Sequence, residues 1–128
     1  MDMHIEIVPV PFSQLADAKP SESSATIRAR VIAARNIQTE RFSHEEGVYC
    51  NAQMGSKLIR KYCQLDAKGQ DLLNKAMTKH NLSARAYDRI LKMSRTIADL
   101  DNSADIQFSH VAEAINYRNL DKESWALK

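Results

Sequence analysis

The residue whose charge and position fit together least well in this sequence is Arg85. It follows Ser83 by two places in the stretch NLSARAYDRILKMSRTIADLD, residues 81–101, where Ser83 is suited to cap a helix. Beyond it Tyr87, Ile90, Leu91, Ser94, Ile97 and Ala98 recur at steps of three and four, which marks one buried face. The first turn of a helix carries unpaired N–H groups and the positive end of the dipole, so it favours anions and gives an arginine no local benefit. A cation held there points to a ligand outside its own helix. The plainer alternative is a solvated surface residue, because the mismatch costs only a few tenths of a kcal/mol.

Other groups that could do chemistry are sparse. Cys50 and Cys63 have no paired cysteines or histidine spacing around them, so a zinc site is not expected and reduced thiols are. His44 is followed by Glu45 and Glu46 without a ligand geometry. No G-x-x-x-x-G-K-[ST] phosphate loop occurs, and the three glycines cannot build one elsewhere. This chain is therefore expected to have no ATPase activity by itself.

At 128 residues and 44% hydrophobic, the chain can bury one modest core. The net charge is only +2, but it is unevenly spread: residues 1–23 hold Asp2, Glu6, Asp17 and Glu22 against Lys19, and the rest holds seventeen Lys or Arg against twelve acids. That basic remainder permits contact with phosphate without requiring it. No apolar run approaches the roughly 20 residues of a membrane span, and Met1-Asp2-Met3-His4 does not begin a signal peptide. A soluble, cytoplasmic protein is expected.

The elements that position these residues are mostly helical. Residues 3–10, MHIEIVPV, alternate as a strand until Pro9 and Pro11 end the run, yet no second strand signal follows, so the strand either pairs with another copy or, the preferred reading, belongs to a sheet outside this chain. Residues 12–20 read as a connection. From Ser24, ATIRARVIAARNIQTERF predicts a helix with Ile27, Val31, Ala34 and Ile37 or Gln38 on one stripe, and with Arg28, Arg35 and Arg41 close together on its flank. Four arginines against one acid on this helix read either as a solvated basic face or as a contact for a subunit or polyanion. Residues 44–56, with Gly47 and Gly55, read as a mobile loop.

A short helix is expected over residues 56–63, presenting Leu58, Ile59 and Tyr62. Asp66 should cap another that reaches His80, with Leu72, Leu73, Ala76 and Met77 inward and Asn81 as its stop. Gly69 should weaken the start of that helix by about 1 kcal/mol relative to Ala. After the central helix, residues 99–108 form a connection anchored by Ile106. Ser109 then caps a last helix, HVAEAINYR, that turns Val111, Ala114, Ile115 and the stem of Arg118 inward. Residues 120–128 form an amphipathic end in which Trp125 either packs on a neighbouring helix or lies half-exposed. The expected fold is mainly α, a small bundle of four to five helices preceded by an orphan N-terminal strand.

With the helices placed, the chain resembles the C-terminal domain of magnesium-chelatase-like AAA+ proteins of the ComM or YifB type. The matching pieces are DMHIEI (2–7), VPVPF (8–12), ESSATIRARVIAAR (22–35) with Gln38 and Arg41, LSARAYDRILKMSRTIADLD (82–101) and HVAEAINYR (110–118). Each is weak alone; their order and spacing are specific. The resemblance implies an AAA+ lid over residues 21–128 and, over residues 1–20, the last strand and linker of the ATPase core, in a homo-oligomeric ring that is usually a hexamer. It also places Arg85, in LSARA, on the family's sensor-2 arginine, which reaches the γ-phosphate of ATP at a subunit boundary. Such an arginine spreads donors over a transferring phosphoryl group and needs no partner within its own domain.

Arg28, Arg35, Gln38, Arg41, Arg89 and Arg95 are the further candidates for subunit or nucleotide-proximal contacts, each weighed against ordinary surface or an intradomain partner. ATP and Mg2+ are cofactors implied for a longer protein and not for these residues alone. The same resemblance implies action on DNA, in branch migration and competence. Two alternatives stay open: a freestanding basic helical module that binds nucleic acid through residues 24–42, and the lid of a metal-chelatase motor subunit. No membrane partner is expected.

Overall fold

The computed structural model describes residues 3, 5 and 21–118, and among these the secondary structure is five α-helices and one 3₁₀ turn. Most of the strand expected over residues 3–10, and the amphipathic end with Trp125, lie outside the described residues. Helix α1 spans Ser24–Arg41, the 3₁₀ turn Asn51–Gln53, α2 Ser56–Tyr62, α3 Ala67–Lys79, α4 Ala84–Leu100 and α5 Phe108–Asn116. The helical bundle read from the periodicity is the fold observed.

Helix α4 is central: it packs against α1, the 3₁₀ turn, α2 and α5, while α3 closes the far side against α5. Its inward face is the one that the spacing marks, with Ile90, Leu91, Ser94 and Ala98 buried and Tyr87 and Ile97 partly buried against the core. Ser94 is tolerated there because its hydroxyl donates to the Ile90 carbonyl at 2.8 Å, which pairs its own buried oxygen. Leu73 from α3, Val111 and Ala114 from α5, and Ile106 from the connection complete the centre. Ile106 also forms the isolated parallel bridge with Leu65, so it anchors its loop as expected.

Helix ends follow local chemistry with one correction. Ser23, Asp66 and Ser83 accept from the backbone N–H groups of Thr26, Gly69 and Ala86 at 3.2, 2.7 and 3.2 Å. Asn81 stops α3 in the left-handed region at φ 48°, and Asn102 does the same after α4 at φ 53°. The last helix starts earlier than Ser109 suggests. Gln107 is its N-cap, and the Gln107 N–H donates to His110 Nδ1 at 3.0 Å. An Nδ1 that accepts leaves the proton on Nε2, which donates to Asp101 Oδ2 at 2.9 Å, so a buried histidine replaces the serine as the capping partner.

Two other expectations change. The apolar stripe of α1 is only half used: Ala34 and Gln38, in its C-terminal half, are buried, but Ile27 and Val31 are 44% and 43% exposed. The segment 44–56 is not loose throughout. Asn51 is 1% exposed and Met54 4%, and Phe42, just before the segment, packs edge-on against Tyr62 with ring centroids 5.5 Å apart.

Gly69 also has a positive role that helix propensity alone does not show. A Cβ at this position would sit 3.1 Å from the capping Asp66 Oδ1 and 3.5 Å from Val111. Glycine therefore lets the cap close, while the distance to Val111 is ordinary van der Waals contact. Gly69→Ala should fail to gain the roughly 1 kcal/mol that alanine normally brings to a helix interior, and should recover part of it in an Asp66→Ala background. Urea denaturation of the two single variants and the double variant measures this coupling, and additive effects would refute it.

Candidate functional site

The candidate residues separate into two groups once placed. Gln38, Arg41 and Arg95 join a buried cluster around Asp99, whose side chain is 0% exposed. Arg41, in the last turn of α1, grips Asp99 with both arms: Nη1 donates to Oδ2 at 2.9 Å and Nη2 to Oδ1 at 2.6 Å. Nη1 also reaches Asn51 Oδ1 at 3.0 Å, and Asn51 Nδ2 donates to Asp99 Oδ2 at 2.8 Å. The Asn51 backbone N–H donates to Gln38 Oε1 at 2.9 Å. From one turn earlier on α4, Arg95 Nη2 lies 3.2 Å from Asp99 Oδ1, and its two arms donate to the carbonyls of Ser103 and Ala104 at 2.8 and 3.0 Å.

These contacts assign three of the candidates an intradomain role. Arg41 ties α1 to α4, Gln38 holds the 3₁₀ turn, and Arg95 clamps the chain after α4. Burial lowers the pKa of the Arg95 guanidinium and Asp99 opposes that shift. The partners were missed in the sequence: Asp99 was read as the start of a connection and Asn51 as part of a mobile loop. The signal that could have found Asp99 is its place four residues after Arg95 and one after Ala98, still within the helical run.

Arg85 is arranged differently. It is exposed in the first turn of α4, and among the described residues it makes no hydrogen bond or ion pair. Its backbone is nonetheless well held. Ser83 caps the turn, the Leu82 N–H donates to the Met77 carbonyl at 3.1 Å, and Ala86, next in the chain, is 5% exposed. Beside it a cavity of about 860 Å³ opens between α2, α3 and α4, lined in part by Ala84, Tyr87, Asp88, Arg60 and Cys63. Burial pushes the Cys63 thiol up to about 11, so it packs there as a small apolar group rather than a nucleophile. Arg28 and Arg35 are exposed on α1, and Arg89 is half-buried and engaged in an interaction of its own. The residues named are therefore not brought to one site: Arg85 stands at the N-terminal end of α4, and the Asp99 cluster lies near its other end.

Residues 21–118 match the family described as the C-terminal region of the magnesium chelatase subunit ChlI. The chain belongs to that family. It is 42% identical over 118 residues to the competence protein ComM of Haemophilus influenzae, covering 91% of this chain and 22% of that protein. It is 38% identical over 122 residues to the uncharacterized protein YifB of Escherichia coli, covering 94% and 23%. A more distant relative, the uncharacterized protein Rv2897c of Mycobacterium tuberculosis, is 29% identical over 101 residues, covering 79% and 20%. The chain thus spans about a fifth of the length of these relatives. No helix among the described residues is long and apolar enough to cross a membrane.

Within this family domain the buried cluster and the buried Cys63 each make a testable demand. Asp99→Ala leaves two buried guanidiniums without their carboxylate, which should destabilise the domain by about 3–5 kcal/mol. A shift in the urea midpoint equivalent to less than about 1 kcal/mol would show that the cluster is dispensable. Cys63 has a native pKa raised above its unfolded value, so its contribution to stability is present below about pH 9 and is lost as pH rises toward 11. The wild type should lose stability faster than Cys63→Ala across that interval, and parallel curves would contradict the assignment.

Proposed function

We propose that this domain is the helical lid of an AAA+ ATPase and that Arg85 is its contribution to ATP hydrolysis. Arg85 is the exposed cation that carries the reading. Its backbone is fixed by a capped, well-packed helix, its side chain has no partner among the described residues, and it stands at the end of α4 where a cation gains nothing from the helix itself. Such a side chain fits a phosphoryl group brought by another part of the protein. ATP with Mg2+ would supply that group, and the guanidinium would donate to its oxygens as charge develops in phosphoryl transfer. This chain supplies a cation and no phosphate loop, so the nucleotide's cradle belongs to an AAA+ core outside it.

In this proposal residues 1–20 are the end of that core and residues 21–128 the lid, in a homo-oligomeric ring acting on DNA. The DNA-directed part rests on similarity to a protein named for competence. The chelatase-motor alternative draws on the family's description, with no further feature of the chain favouring it. A freestanding basic module is weakened by the position of Arg41: its guanidinium is bound to Asp99, which removes one of the three cations that would form the patch on α1.

The deciding experiment is Arg85→Ala in the longer protein. ATP turnover should fall at least tenfold, since comparable arginines contribute up to about 10³-fold or more to phosphoryl transfer. The melting temperature of the isolated domain should barely change, because exposed positions away from caps stay within about 0.5 kcal/mol. Arg85→Lys should rescue turnover poorly, a point charge being no substitute for a planar fork. Normal turnover in Arg85→Ala would reject the proposal, and a large loss of domain stability would make Arg85 a structural residue instead.

A further inference from the structure

A second surface lies toward the opposite end of α4. Between α1, the C-terminal half of α4 and α5 runs a groove of about 690 Å³, lined by Ile27, Val31, Ile97, Leu100 and Tyr117 among others. Ile27, Val31 and Leu100 are each more than two-fifths exposed, and they stay so with Met3 in the groove. Helix α1 forms one wall and is bare over half its length: every residue from 21 to 33 is exposed, although the helix runs on to Arg41. About three turns of helix thus stand clear of their own domain. In proteins the stability of a helix comes mostly from packing its apolar face, and this half has little packed on it.

The two walls carry opposite charge. Arg30 stands on the α1 wall, between Ile27 and Val31 in sequence, while Asp101 and Glu113 stand on the wall built by α4 and α5. Arg30 does not use these acids. Its ion pair among the described residues is with Glu22, just ahead of α1, at 2.8 Å with both side chains more than two-fifths exposed. Asp101 takes the His110 ring instead and keeps 71% of its side chain open to solvent. An exposed pair such as Arg30 with Glu22 holds weakly and is easily exchanged for other partners.

We propose that a second copy of this chain closes the groove, each copy laying the free half of its α1 into the groove of the other. A two-fold axis sets a patch against itself, so it suits a patch whose own two sides complement each other. This patch has that property. Ile27 and Val31 of one copy meet Ile97, Leu100 and Tyr117 of the other, and Arg30 meets Asp101 and Glu113, with both sets of contacts made twice. The contact then has an apolar centre and a polar rim, the anatomy of a specific interface. It goes beyond the function proposed above and does not rest on Arg85, which stands at the other end of α4.

Sedimentation equilibrium of the 128-residue chain without nucleotide tests the contact and leaves the Arg85 reading intact whichever way it falls. The mass should rise with concentration from one chain to two and stop there, because a two-fold contact closes on itself. Val31→Asp places a charge in the apolar centre and should weaken association by at least about tenfold, while the melting temperature barely changes at so exposed a position. Should Val31→Asp fail to fold, the rim decides. Arg30→Glu and Glu113→Arg each set like charges against one another and should each associate more weakly than the wild type. Mixed in equal amounts, the two variants should recover a dimer, since both rim contacts are then between opposite charges. A single-chain mass at about 1 mM overturns the proposal. So does a mass that climbs past two chains, or a pair of rim variants that gains nothing on mixing.

Discussion

The structure depends on one carboxylate. Asp99 is fully buried, and an isolated buried charge of that kind is prohibitive, so everything that touches it has to be in place for the fold to exist. Its partners come from four separate parts of the chain: Arg41 closing α1, Asn51 in the 3₁₀ turn, Arg95 on its own helix, and through Arg95 the carbonyls that follow α4. A buried ion pair does not by itself add much net stability, because desolvation consumes most of the Coulombic gain. Its value lies in specificity. A bidentate guanidinium has one good geometry on a carboxylate, and that geometry fixes where the end of α1 crosses α4.

This fixed end explains why the opposite end of α4 can hold an arginine that has no partner among the described residues. The helix is held at its C-terminal half by the polar cluster, along its length by Ile90, Leu91 and Ala98, and at its start by the Ser83 cap. Arg85 inherits a defined position from this framework without a side-chain contact among the described residues. Polar contacts that would satisfy it locally would also hold it back from an external anion. The same composition thus yields arginines of two kinds, and burial rather than sequence distance separates them.

Much of this architecture was legible in advance, and the reason is periodicity. The helices from Ser56 onward, the inward faces of α3 and α4, and the caps at Asp66 and Ser83 all follow from local spacing, which is set within a few turns of chain. The family was legible from the order of several short segments. What periodicity cannot supply is the partner of a face. It marked Ile27 and Val31 as a stripe, yet whether another element covers them is a matter of tertiary geometry, and among the described residues they stay more than two-fifths exposed. It likewise cannot join Arg41 to Asp99 across 58 positions, so Arg41 stays open between a surface, an intradomain and a subunit contact and Asp99 reads as a connection. The Gln107 cap was hidden for a different reason: the group that completes it is a histidine ring, outside the usual serine, threonine and aspartate set.

Of the readings open for Arg41, Gln38 and Arg95, the intradomain partner is the one observed, with Asp99 and Asn51 as the unforeseen ties, while Ile27 and Val31 on α1 were expected inside and proved to be open. In a domain with one modest core, an uncovered apolar face thus stands beside a polar interior in which Asp99 is held by two arginines and Asn51, while Arg95 Nε has no hydrogen-bond partner among the described residues. Ile27, Val31 and Leu100 leave apolar surface open on one side of the domain and Arg85 stands exposed at the other end of α4, so the helix that organises the core also sets its open apolar surface apart from this exposed cation.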